Sequence, residues 1–444
     1  MLKILSLFLL TTFLIGTISA QTDNVATAKT FIESLAKNDF NAAESLFNEE
    51  VKAKISIEKL KEVWQSLNSQ VGNFKKQGDI KNDQNHIFKI TCEFQNSNLD
   101  AIIVIDRNGK IAGLNFAPSS NGEPAKSNYQ TPTYAKPNSF QEKDVTVGAG
   151  SEWALPATLT MPVGNGNFPV VVLVHGSGAN DRDETINVSN KPFKDLAWGL
   201  ASRGIAVLRY DKRNFVHGAK LAKIKNFTLN EETIDDAVLA VELLRQTPNI
   251  DSKRIFVLGH SLGGMAIPRI GAKDAKIAGL IVFAGTARPI EDVILEQYTY
   301  LFSLDGTISP DQQAILDKSK EDVAKIKLLK PTDINSDKMY LRFFPVPYLL
   351  DLQNYNPALV AKTLKQPMLI LQGGRDYQVT MKDFQNWKNG LSKKRNVTFK
   401  TYPTLTHIFM EGSEKPTPTD YEKISHVDET VVNDIANWIF KQKK

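Results

Sequence analysis

Between residues 140 and 444 the chain carries a series of short, unbroken apolar runs separated by helical patterns, and few folds accept that arrangement. The runs fall at 170–174, 205–208, 255–258, 280–283 and 368–371. A strand wetted on one face alternates apolar and polar residues. A strand apolar at every position must be covered on both faces, as in a parallel sheet between helices. Residues 193–201, 231–244 and 432–440 have the spacing of such covering helices. Residues 144–147 and 157–161 read as an opening antiparallel pair, the second alternating. The expectation is an α/β fold, a doubly wound and mostly parallel sheet.

The third run enters Gly259-His260-Ser261-Leu262-Gly263 and continues as a helical pattern through Gly264-Met265-Ala266-Ile267. Strand, G-x-S-x-G and helix together are the context of a nucleophile elbow. The turn strains the backbone at Ser261, and Gly259 and Gly263 leave room for strand and helix to pass closely. A serine hydroxyl is a weak nucleophile and needs a base, itself oriented by a carboxylate. The run 368–372 leads through Gly373-Gly374-Arg375 to Asp376, and a strand-like run at 397–402 leads to His407. The order Ser261, Asp376, His407, each just past a strand end on one rim, is that of the hydrolase arrangement.

On these motifs, residues 140–444 resemble the α/β-hydrolase superfamily. The resemblance implies an esterase-like serine hydrolase, with Ser261 attacking, His407 as base and Asp376 orienting it. Val174-His175-Gly176-Ser177-Gly178 resembles the family's His-Gly oxyanion loop. The expected oxyanion donors are the backbone N–H groups of Leu262 and Ser177, with Gly176 as the alternative to Ser177. No metal or organic cofactor is implied, and the expected partner is a small-molecule ester substrate. An insertion at about 290–360 lies where the family carries a helical cap. Its Ile294, Leu295, Tyr298, Tyr300, Leu301, Phe302 and the stretch 343–348 either line an acyl or aryl pocket or pack the cap onto the body.

Other polar residues near the rim have plainer readings. His426 is the rival base, but it lies in a charged loop bearing proline and threonine. His260 is expected to point away from the nucleophile, and His175 to brace the oxyanion loop. Asp181-Arg182-Asp183 and Asp211-Lys212-Arg213 are expected to form loop-bracing ion pairs. The single cysteine, Cys92, excludes an intrachain disulfide and a cysteine metal cluster, and its setting suits an inert buried thiol. Lys+Arg number 54 against 49 Asp+Glu, too even a balance for a nucleic-acid-binding field.

Upstream the texture changes. Residues 1–20 carry one lysine, a long apolar run and small residues ending at Ser19-Ala20, the pattern of a signal peptide cleaved before Gln21. A retained anchor would need a longer run, so the expectation is an exported protein, periplasmic or secreted, without a membrane span after cleavage. Residues 21–118 read as a small α+β domain. Helical spacing through Val25–Leu35 and Ile57–Leu67 precedes strand-like runs at 86–94 and 99–105, then a hairpin turn at Asp106-Arg107-Asn108-Gly109 into 110–116. That order resembles the nuclear-transport-factor-like cone and the small domain of unknown function that precedes some exported bacterial hydrolases. Prolines 118, 124, 132 and 137 in a polar stretch mark 119–139 as an extended, exposed linker, with the hydrolase domain at 140–444.

The function expected from sequence is an exported serine hydrolase that cleaves carboxylic esters through an acyl-enzyme. A peptidase or acyltransferase with the same triad and a non-catalytic binding protein on a hydrolase scaffold are the alternatives.

Overall fold

A computed structural model describes residues 21–442 apart from Lys54, 84–85, 96–97, 120–128, Val188, Ala222 and Asp305. The signal-peptide reading of residues 1–20 lies outside the described residues. Two units divide between Asn128 and Tyr129.

In the first unit, helices Gln21–Ala36 and Ile57–Val71 precede four strands: β1 (Phe74–Asp83), β2 (Ile87–Phe94), β3 (Asn98–Ile105) and β4 (Ile111–Pro118). They form an antiparallel meander in the order β1-β2-β3-β4. Strand β2 alternates strictly, burying Phe88, Ile90, Cys92 and Phe94. The Trp64 ring meets Phe74, Phe94 and Phe116 with centroids 5.6–6.1 Å apart, joining the second long helix to the sheet. Sequence patterning misses β1, because Lys75, Lys76, Gln77 and Asp79 break its apolar alternation. An edge strand tolerates such charge, and charge there discourages further pairing. The turn at 106–109 closes with the Asp106 carboxylate accepting from the Asn108 and Lys110 N–H groups, and Gly109 takes φ +71°. Burial pushes the Cys92 thiol up to about 12, so it stays protonated and unreactive.

The second unit holds a single eight-stranded sheet. Its strands are β5 (Phe140–Val147), β6 (Leu155–Pro162), β7 (Phe168–Val174), β8 (Ala206–Tyr210), β9 (Ile250–His260) and β10 (Gly279–Phe283). After a two-stranded pair in the insertion, β11 (Met339–Tyr340) and β12 (Phe344–Pro345), come β13 (Met368–Gly373) and β14 (Val397–Tyr402). The spatial order is β14-β13-β10-β9-β7-β8-β6-β5, and β6 alone runs against its neighbours. This is the doubly wound, mostly parallel sheet expected from the apolar runs.

The runs are continuous because each face has its own core. Val170, Val172, Val174, Val257, Val282 and Ile370 meet helices Asp235–Arg245, Leu262–Lys273 and Met381–Leu391 on one side. Val171, Leu173, Phe256, Leu258, Ile281 and Leu371 meet helices Pro192–Ala201 and Glu429–Lys441 on the other. At roughly 1.5–3 kcal/mol for each fully buried aliphatic side chain, these two layers dominate the driving force.

The stretch expected as an extended linker differs in its second half. Residues 129–139 pack into the second unit: the Tyr129 hydroxyl donates to Asp195 at 2.7 Å, and the Tyr134 hydroxyl to the Val427 carbonyl at 2.7 Å. Two half-buried tyrosines with satisfied hydroxyls outweigh the local proline signal.

Helices Ile290–Ser303 and Pro310–Ile326 and the short helix Val346–Leu352 build the insertion, with Val323, Ile326, Tyr340, Leu341, Val346 and Leu349 as its small core. Of the insertion's aromatic residues, Phe344 and Tyr348 pack against the body of the second unit. Tyr348 is buried, whereas Phe343 is 63% exposed and fills neither expected role.

Candidate active site

The elbow follows from close approach. Ser261 takes φ +54° and ψ −114°, a strained conformation for a residue with a side chain. It is held by its own N–H donating to the Phe283 carbonyl at 3.0 Å and by its carbonyl accepting from Met265 N–H at 3.0 Å. A Cβ on Gly259 would lie 2.3 Å from the Gly263 carbonyl oxygen, and one on Gly263 would lie 2.4 Å from that of Val174. Both clashes are with backbone, which cannot swing aside. Gly263→Ala should therefore lose about 3 kcal/mol of stability or more, read as a lower midpoint in urea unfolding.

Parallel strands in the order β13-β10-β9-β7 bring the ends of β9, β13 and β14 to one rim. Asp376 follows β13 and His407 follows β14. His407 Nδ1 lies 2.6 Å from Asp376 Oδ2, with both side chains buried. The other carboxylate oxygen accepts from the Gln378 and Val379 N–H groups at 2.8 and 2.9 Å, and Gln372 Nε2 donates to Oδ2 at 2.9 Å. Four donors around one carboxylate fix its plane. The carbonyl of His407 accepts from His260 Nε2 at 3.1 Å, and the two imidazoles lie 4.6 Å apart by ring centroid. His407 is thus seated beside the residue that precedes Ser261.

The oxyanion loop leaves β7 directly against the elbow, where a Cβ on Gly176 would sit 3.2 Å from the Ser261 Cβ. Leu262 opens the helix after the elbow. Ser177 is exposed, whereas the Gly176 N–H donates to Glu184 Oε1 at 2.8 Å. His175 Nε2 donates to the Asp181 carbonyl at 2.9 Å, the bracing expected of it. Burial pulls its pKa down to about 4, so the ring is neutral.

The remaining polar residues take the bracing roles read from sequence. Arg182 pairs with Asp211 at 2.8 Å, and Asp183 bridges Lys191 and Arg209. His426 pairs with Asp195 at 3.0 Å on the outer helix Pro192–Ala201, apart from the Asp376–His407 pair. From the insertion, the Tyr300 ring stacks on Tyr377, next to Asp376, at 5.4 Å, and Gln297 Nε2 donates to the Gln378 carbonyl at 2.8 Å. The helix Ile290–Ser303 therefore packs on the loop that carries the acid.

Sequence reasoning missed Glu184 and the buried Lys212–Glu232 pair. Glu184 Oε2 lies 2.9 Å from His260 Nδ1, and Lys212 Nζ donates to Glu232 at 2.6 Å. Neither pairing has a local motif, since the partners come from elements distant in sequence.

Residues 168–414 match the family described as serine aminopeptidase, S33, and residues 28–114 match the one described as protein of unknown function (DUF3887). The chain is 39% identical to Esterase EstD of Thermotoga maritima over 414 residues, 93% of this chain and 94% of that protein. An esterase from Pyrococcus furiosus is similar in structure at 16% identity and a TM-score of 0.42, over 69% of this chain and 92% of that one. Est1E from Butyrivibrio proteoclasticus is similar at 16% identity and a TM-score of 0.43, over 67% of this chain and 98% of that one.

Proposed function

Because the chain belongs to the serine aminopeptidase S33 family of α/β-hydrolases and is an esterase-type hydrolase, we propose that it cleaves carboxylic esters through an acyl-enzyme on Ser261. The observation that carries this reading is the buried 2.6 Å pair of His407 and Asp376 beside a strained serine elbow. Asp376 holds His407 with its proton on Nδ1, so Nε2 has a free lone pair to take the Ser261 proton. The serine oxygen attacks the ester carbonyl, and the Leu262 and Ser177 N–H groups hold the resulting oxyanion. The Gly176 N–H donates to Glu184, which supports Ser177 rather than Gly176 as the second donor. The alcohol departs with the proton from His407, and water repeats the sequence on the acyl group.

Residues 1–20 support the further reading that the protein is exported. A peptidase would use the same triad, so substrate choice is the test. Short p-nitrophenyl esters should be hydrolysed and amino-acid p-nitroanilides left intact. Faster turnover of the anilides would reverse the assignment.

A further inference from the structure

A trans peptide unit is planar, with its C=O and N–H pointing in opposite directions. The Ser177 N–H shares its unit with the Gly176 carbonyl, so whatever fixes that carbonyl also aims the N–H. Lys212 Nζ donates to the Gly176 carbonyl at 2.7 Å. The same ammonium donates to Glu232 Oε1 at 2.6 Å, and Glu232 Oε2 accepts from the Tyr348 hydroxyl at 2.7 Å. Lys212, Glu232 and Tyr348 are all buried. Glu232 sits in a five-residue π-helical segment, Asn230–Ile234, a geometry that recurs at functional sites. Tyr348 belongs to the insertion, on helix Val346–Leu352.

We infer that Lys212, anchored by Glu232 and through it by Tyr348, is a positioning residue that aims the Ser177 N–H at the developing oxyanion. The preceding peptide has its own clamp. Glu184 takes the Gly176 N–H and pairs with His260, whose other nitrogen donates to the His407 carbonyl. His260 thus faces a carboxylate on one side and an obligate acceptor on the other, the partners of an imidazolium. Burial alone would lower its pKa, but the Glu184 carboxylate and the hydrogen bond to the His407 carbonyl outweigh it and hold it above the ordinary histidine value. Asn180 Nδ2 also donates to the Gly176 carbonyl, at the longer distance of 3.2 Å, so Lys212 supplies the shorter and buried of the two contacts that hold peptide 176–177. A buried charged pair is a costly way to brace a loop, and its use here is explained by the need to set one N–H without adjustment during the reaction.

This inference rests on the acyl-enzyme reading above. The test is the double variant Lys212→Met/Glu232→Gln, which removes both charges together and leaves no unpaired ion in the core. Loss of a single oxyanion donor costs about 100- to 1,000-fold in kcat. The double variant, folded by circular dichroism, should show a fall in kcat of up to about 100-fold with KM changed less than about threefold. A trifluoromethyl ketone, whose serine adduct places an oxyanion in the same position, should lose affinity by the same factor as kcat. A merely structural role would lower the melting temperature and leave both readouts unchanged per folded molecule. Wild-type kcat in the folded double variant would overturn the inference. Where the double variant fails to fold, Tyr348→Phe removes only the anchoring hydroxyl. It should lower kcat about fivefold at constant KM, the equivalent of one hydrogen bond of about 1 kcal/mol, and an unchanged kcat there is equally decisive against it. Ser261→Ala separates the two levels: an active Ser261→Ala ends the acyl-enzyme reading itself, whereas an inactive one beside a fully active double variant ends only the role of Lys212.

Discussion

Replacing Ser261 with alanine is expected to cut kcat by about 10⁴- to 10⁶-fold while leaving the protein folded. In the proposed mechanism the serine oxygen is the atom that becomes acylated, and alanine supplies no nucleophile in its place. Folding should survive because the strain at φ +54° belongs to any residue with a Cβ, and the Ser261 side chain makes no capping hydrogen bond to the following helix. Turnover of p-nitrophenyl acetate, measured beside a thermal unfolding curve, checks both halves. Activity within tenfold of wild type would require a different nucleophile.

Asp376→Asn has the second largest expected effect, a loss of about 10³- to 10⁴-fold in kcat. The carboxylate accepts from four donors, two on each oxygen. An asparagine can present its oxygen to only one of those pairs. With its oxygen toward Gln378 and Val379, its NH2 faces Gln372 Nε2 and His407 Nδ1. His407 is then driven to accept at Nδ1 and carry its proton on Nε2, where it cannot deprotonate Ser261. The opposite orientation preserves the tautomer but abandons two backbone donors, at a cost of roughly 1–3 kcal/mol for each buried group left unpaired. The kinetics should show a reduced kcat with KM little changed. A near-normal kcat would mean that Asp376 does no more than close its turn.

How much of this was legible in the chain depends on the range of the interaction concerned. The strands at 170–174 and 255–258 declare themselves because both faces of the sheet are covered, so every position is apolar. The elbow is legible because Gly259 and Gly263 answer a local clash between strand and helix. Asp376 and His407 can be read from their places at strand ends, once the parallel order is assumed. Strand β1 was hidden by the charges an edge strand permits. Tyr129 and Tyr134 were hidden because their partners, Asp195 and the Val427 carbonyl, come from elements distant in sequence. Glu184 and the Lys212–Glu232 pair are hidden for the same reason. An ion pair was expected of Lys212, but its partner Glu232 and the role of Glu184 show only where two loops and the segment Asn230–Ile234 converge behind the Gly176 peptide.

Mass-spectrometric location of a fluorophosphonate adduct tests the central claim most directly, because the reagent reports which oxygen is activated. The expected result is a single adduct on the peptide containing Ser261, absent in Ser261→Ala and formed far more slowly in Asp376→Asn. An adduct on another residue, or a folded wild-type protein that takes up no label, would contradict it.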